Sequence, residues 1–166
     1  MDARTGDLTA VGATVPRLAQ GLALAVPGAL LLGALGSEYV GGLHPCEMCL
    51  WQRWPHLAAV ALAGLSFVVT GRARALTLLA AVAIAASGGL GLFHAGVEQG
   101  WWEGVTSCAA TARGASPEEL LKAILATPLV RCDQIPWSFL GLSLAGWNVL
   151  ISLSSAGAIA WLTLKR

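Results

Sequence analysis

Four runs of mostly apolar residues, each about 20 long, are spread along this chain of 166 residues, and helices of that length cross the hydrocarbon core of a bilayer. They fall at roughly 18–36, 50–70, 75–93 and 139–162. A chain divided in this way has few choices. In lipid every backbone N–H and C=O must be paired within the segment, so such runs become helices, and the helices pack on one another. Only 11% of the residues are charged, against about a quarter in an ordinary soluble domain. Little sequence remains for a separate soluble domain. The expectation is one integral membrane domain over 1–166: an all-α, four-transmembrane-helix bundle with one long loop at about 97–136. The first run follows polar or mixed sequence and has no convincing small-x-small cleavage site before residue 46, so it is expected to remain as a span.

Four spans put both termini on one side of the membrane. That side carries Arg4, Arg17, Arg72, Arg74, Lys165 and Arg166 against Asp2 and Asp7. The opposite side has Arg53, Arg113, Lys122 and Arg131 against seven acidic residues. Lysine and arginine mark the cytoplasmic face. Both termini are therefore expected in the cytoplasm, with all four cysteines outside, where disulfides form and persist.

Local signals fill in the frame. Pro27 lies within the first run, where neighbouring helices can tolerate a kink. Gly41-Gly42-Leu43-His44-Pro45 reads as a turn into the second helix, with Pro45 at its first position and Cys46 in its first turn, where the helix dipole favours a thiolate. Arg72 and Arg74 flank a very short inner turn between the second and third helices. Glycines such as Gly64, Gly88, Gly91 and Gly146 allow close backbone approach in lipid. Within the long loop, Ser116-Pro117-Glu118-Glu119 forms a helix-start signature, followed by Leu120, Leu121, Ile124 and Leu125 at helical spacing. This predicts a short amphipathic helix ending near Pro128. It either lies in the membrane interface or packs on top of the bundle.

The chain has four cysteines, Cys46 and Cys49 at the mouth of the second run and Cys108 and Cys132 in the long loop. Three readings compete for them. A zinc site is disfavoured because the loop pair lacks close spacing and an oxidising compartment disfavours free thiolate ligands; no metal is expected. Two structural disulfides are disfavoured because a two-residue loop makes a weak staple. A redox relay fits best: a Cys-x-x-Cys pair opens and closes as a two-electron carrier, and at the lipid boundary it meets a lipid-soluble acceptor.

Arg53 lies four residues beyond Cys49, on the same helix face. A charge entering a span is costly and points to function. It would favour a thiolate at Cys49 and donate to a carbonyl oxygen; the competing reading is a side chain that snorkels to headgroups. His94, at the outer end of the third run, either donates to the acceptor or moves protons, or is an ordinary interfacial histidine. Trp101 and Trp102 read as membrane-belt residues. Gln52 is expected at the interface, His44 and His56 in structural roles, and Asn148 in a bond across helices.

These motifs resemble the disulfide bond formation protein B (DsbB) family: Pro45-Cys46-x-x-Cys49 with Gln52-Arg53, Cys132 followed by Pro136-Trp137-Ser138-Phe139-Leu140-Gly141-Leu142, and His94-Ala95-Gly96-Val97-Glu98 with Trp101-Trp102. The resemblance runs from about 18 to 162. It implies a quinone-dependent thiol oxidase of the bacterial inner membrane that reoxidises a DsbA-like periplasmic thioredoxin-fold partner. Cys108 would meet the partner's dithiol, Cys132 would pass electrons to Cys46, and Cys49 would face the quinone (ubiquinone or menaquinone) and form a charge-transfer or covalent adduct. Arg53 would orient the quinone, with His94 a further candidate. The lipid bilayer is the other implied partner; no nucleic acid is expected.

Two rivals remain. A vitamin K epoxide reductase-like protein is also a bundle with four redox cysteines, but there the loop pair precedes the Cys-x-x-Cys pair, the reverse of the order here. A non-enzymatic bundle with structural disulfides is the other. Transporters usually carry charged or broken helices at mid-membrane, whereas Arg53 and His56 lie near one end.

Overall fold

A computed structural model describes residues 15–105, 116 and 130–165. Four long helices dominate: α1 (Arg17–Tyr39), α2 (Glu47–Val68), α3 (Ala73–Glu98) and α4 (Leu144–Leu164). A short 3-10 helix, Thr70–Arg72, joins α2 directly to α3. The expected loop helix and Cys108 lie outside the described residues.

Three of the four helices, α1, α3 with the turn before it, and α4, are long and apolar enough to cross a membrane. The second run, expected as a span, forms a helix of 22 residues but is not among these three. Gln52, Arg53 and His56 fall in its N-terminal half, and polar side chains there lower its mean hydropathy. The fourth run also starts later than expected. Residues 138–143 fold as a small antiparallel hairpin, β1 (Ser138–Phe139) paired with β2 (Leu142–Ser143), and α4 begins only at Leu144. Both turn residues are left-handed, Leu140 at φ 52° and Gly141 at φ 79°, as a tight two-residue hairpin requires. Trp147 Nε1 donates to Phe139 O at 3.1 Å and ties the hairpin to α4.

The core is made of small side chains. Ala23, Ala59, Ala63, Ala80, Ala81 and Ala156 are buried with Ile84 and Ile159, while Leu32, Phe67, Val68, Val82 and Leu150 face outward. Small inside and large apolar outside suits helices packed in lipid, where backbones gain by close approach and the outer surface need not be polar. α3 is central, packing most heavily on α2 and α4. At Gly88 an added Cβ would stand 2.9 Å from the Leu153 side chain, so this glycine sets the α3–α4 spacing. Pro27 is buried and α1 runs through it unbroken.

Candidate functional site

The site forms where α2 begins. Pro45 is not the first helical residue as expected. Cys46, extended at φ −75° and ψ 171°, is the N-cap, and its sulfur accepts from the Cys49 amide at 3.2 Å. This bond folds the Cys-x-x-Cys segment so that the two sulfurs stand 2.9 Å apart, with Cys46 donating to Cys49. That donated bond, with burial second, pushes the Cys46 thiol well above its usual range.

The two sulfurs look onto different surroundings. Cys46 is buried in a cluster with Met48, Val97 and Cys132. Cys132, 3% exposed, is thereby brought from the distant loop against the Cys-x-x-Cys pair. Its neighbours Arg131 and Asp133 pair with each other on the exposed side, with Arg131 Nε donating to Asp133 Oδ1 at 2.9 Å. This pairing holds the Asp133 carboxyl below its usual range. It anchors the charged flanks in water while the sulfur between them turns inward.

Cys49 packs against the same cluster but, unlike Cys46, also lines a cavity of about 240 Å³ between α1, α2 and α4, with Leu30, Ala34, Arg53 and Trp147 on its walls. The lining is largely apolar, as in small-molecule sites with a few placed polar groups. Arg53 reaches this cavity through a position set by α1: Nη1 donates to Glu38 Oε2 at 2.5 Å and Nη2 to Ala34 O at 3.5 Å. Arg53 is thus a placed cation at 17% side-chain exposure. His94 is not on the cavity wall. It is buried on α3 with Nε2 3.6 Å from Cys46 Sγ and 3.8 Å from Glu98 Oε1. Glu98 in turn accepts from Ser143 Oγ at the α4 N-cap. Cys46, Cys49 and His94 bring their ligand atoms within 4.8 Å of one another, a set that a thiophilic metal ion could also use.

Gln52 is not at the interface as expected. It is 7% exposed and bonds Met48 O, His94 Nδ1 and, through its oxygen, Asn148. Asn148 does bond across helices, to α2 and α3 together. His56 is buried against Asn148 and also lines the cavity. Of these, the sequence reading missed Gln52 as a core residue and Glu38 as the partner of Arg53, and it named Glu98 within a motif without its bonds to His94 and Ser143. One signal was available: Cys49, Gln52, Arg53 and His56 recur at i, i+3, i+4 and i+7, a polar stripe along one face of a helix. Glu38 has no such local signal, because its partner Arg53 lies on another helix, whereas Glu98 stands four residues after His94 on α3.

A helical membrane protein with paired thiols between a loop cysteine and an apolar cavity belongs to the class of membrane thiol–disulfide oxidoreductases. The family model described as "Disulfide bond formation protein DsbB" matches residues 16–162, and the chain belongs to that family. A "Disulfide bond formation protein B" from a Polaromonas species is 30% identical over 148 residues, covering 83% of this chain and 86% of the relative. One from Marinobacter nauticus is 32% identical over 138 residues, covering 78% and 81%. No solved structure matches the chain. Membership supports disulfide-forming oxidoreductase chemistry in a helical membrane protein.

Proposed function

We propose that this chain is a quinone-dependent thiol oxidase that reoxidises a DsbA-like, thioredoxin-fold dithiol protein. Its single domain has four spans, α2 included, in the bacterial inner membrane. The termini are cytoplasmic and the cysteines periplasmic, following the distribution of lysine and arginine. The observation that carries the reading is the two-sided setting of the Cys-x-x-Cys pair: Cys132 packs on the Cys46 side, and the cavity with Arg53 opens on the Cys49 side.

The chemistry balances as thiol–disulfide exchange followed by two-electron transfer. A thiolate of the reduced partner attacks Cys108 of a Cys108–Cys132 disulfide, and the partner's second thiol closes the partner disulfide. Cys132, released as a thiolate, attacks Cys46 of the Cys46–Cys49 disulfide and releases Cys49 as a thiolate. The Cys108 thiolate then attacks Cys132 of the Cys46–Cys132 bond, which restores the Cys108–Cys132 disulfide and frees Cys46. Two electrons and two protons of the Cys46–Cys49 dithiol pass to the quinone, and the Cys46–Cys49 disulfide closes again. The net reaction converts partner dithiol and quinone to partner disulfide and quinol. An apolar cavity with one sulfur and one cation on its wall suits a flat ring bearing carbonyl oxygens, and Arg53 would donate to one of them. Ubiquinone and menaquinone both fit this description. The experiment is to mix the purified protein with a reduced thioredoxin-fold partner and follow quinone absorbance. One quinone should be consumed per partner disulfide formed; partner oxidation without quinone consumption would refute the reading.

A further inference from the structure

Polar side chains buried between α2, α3 and α4 form a hydrogen-bond chain whose direction is fixed by two main-chain carbonyls. Asn148 Nδ2 lies 3.1 Å from Ser87 O, and Gln52 Nε2 lies 3.0 Å from Met48 O. Carbonyls only accept, so both amide orientations are set. Asn148 therefore donates to Gln52 Oε1 at 2.8 Å, and Gln52 donates to His94 Nδ1 at 2.9 Å. Asn148 Oδ1 accepts from Ser152 Oγ at 2.7 Å and from His56 Nε2 at 3.0 Å. Each neutral imidazole is left with one tautomer. His94 carries its hydrogen on Nε2, beside Cys46, Glu98 and the main chain of Cys132. His56 carries its hydrogen on Nε2 too, and its Nδ1 is a bare lone pair.

That lone pair is the unfinished end of the chain. His56 is 4% exposed and lines the cavity, and Nδ1 has no hydrogen-bond partner among the described residues. A positive ring would share the apolar cavity with Arg53, and the described residues on its wall include no carboxylate. The cavity wall therefore contains a residue with an unsatisfied acceptor, His56, as well as a donor, Arg53. An oxidised quinone presents only acceptors, whereas a hydroquinone presents hydroxyl donors. We propose that His56 is the group that recognises the reduced acceptor, its Nδ1 accepting a hydrogen bond from a hydroquinone hydroxyl in the cavity.

The proposal rests on the quinone reading above, and its test separates the two. The purified full-length protein is titrated with a soluble short-chain ubiquinone and with its quinol. In His56→Gln the side-chain amide keeps a donor near the Nε2 position for Asn148 but removes the Nδ1 acceptor. Quinol affinity should fall about tenfold, the equivalent of ~1.4 kcal/mol, while quinone affinity stays within about twofold. His56→Asn, whose oxygen stands near Nδ1, should keep the preference for quinol. An unchanged quinol-to-quinone affinity ratio in His56→Gln overturns the proposal while leaving quinone reduction intact. Failure of the wild-type protein to bind or reduce quinone overturns the functional reading itself. If His56→Gln does not fold, the His56 Nδ1 resonance of ¹⁵N-histidine-labelled wild type decides: it should move with quinol and not with quinone, and no movement with quinol overturns the proposal.

Discussion

At the scale of single residues, the division of labour between the two halves of the site can be tested one side chain at a time. Arg53 borders the cavity and is held there by Glu38, while nothing places it near Cys132. Arg53→Met keeps a flexible apolar stem and removes the charge. The apparent KM for quinone should rise by about tenfold for each 1.4 kcal/mol of binding lost, with exchange between the partner and the loop pair nearly unchanged. Measuring the two steps separately checks this; normal quinone kinetics would reduce Arg53 to a membrane anchor. Cys132→Ser removes the sulfur packed against Cys46. Given the partner as its disulfide, the Cys108 thiol should attack it and accumulate an adduct, visible as a mixed disulfide on a non-reducing gel. An adduct on Cys46 would reverse the order of the relay.

At the scale of elements, the site depends on how closely α3 approaches α2 and α4. A Cβ at Gly91 would stand 3.0 Å from Asn148 Nδ2, 3.1 Å from Gln52 Oε1 and 3.2 Å from Ala145 O. Gly91→Ala should therefore press apart the amide pair and cost about 1–3 kcal/mol, the usual range for overpacking. Gly89→Ala meets nothing within 4 Å and should be neutral or slightly stabilising. Thermal unfolding of both variants in detergent makes the comparison; equal melting temperatures would contradict it. These elements also show what the sequence could and could not reveal. Helix existence was legible, because runs of apolar residues this long have one good conformation in lipid. The start of α4 was not. Phe139, Leu140 and Leu142 look like span residues by hydropathy, but Gly141 and a left-handed Leu140 turn them into a hairpin. The cysteines and Arg53 stood out through spacing and cost of burial. Gln52 was misjudged because its burial depends on Asn148, 96 residues away, and no local pattern encodes that meeting.

At the scale of the whole molecule, the proposed orientation rests on the side on which arginine and lysine collect. With the termini in the cytoplasm, a membrane-impermeant thiol reagent added from outside should label the reduced loop cysteines. Cys132 should react more slowly than an exposed thiol, because it is 3% exposed. Labelling only after the membrane is breached would overturn the orientation. The central claim is polarity across the Cys-x-x-Cys pair: Cys46 faces the loop and Cys49 faces the cavity. Disulfide mapping by mass spectrometry under non-reducing conditions tests it most directly. In Cys49→Ser holding its Cys108–Cys132 disulfide, with no partner added, Cys46 should attack Cys132, release Cys108 as a thiol and be found joined to Cys132. In Cys46→Ser, Cys49 should remain unjoined to Cys132. A Cys49–Cys132 disulfide forming as readily as Cys46–Cys132 would contradict the account.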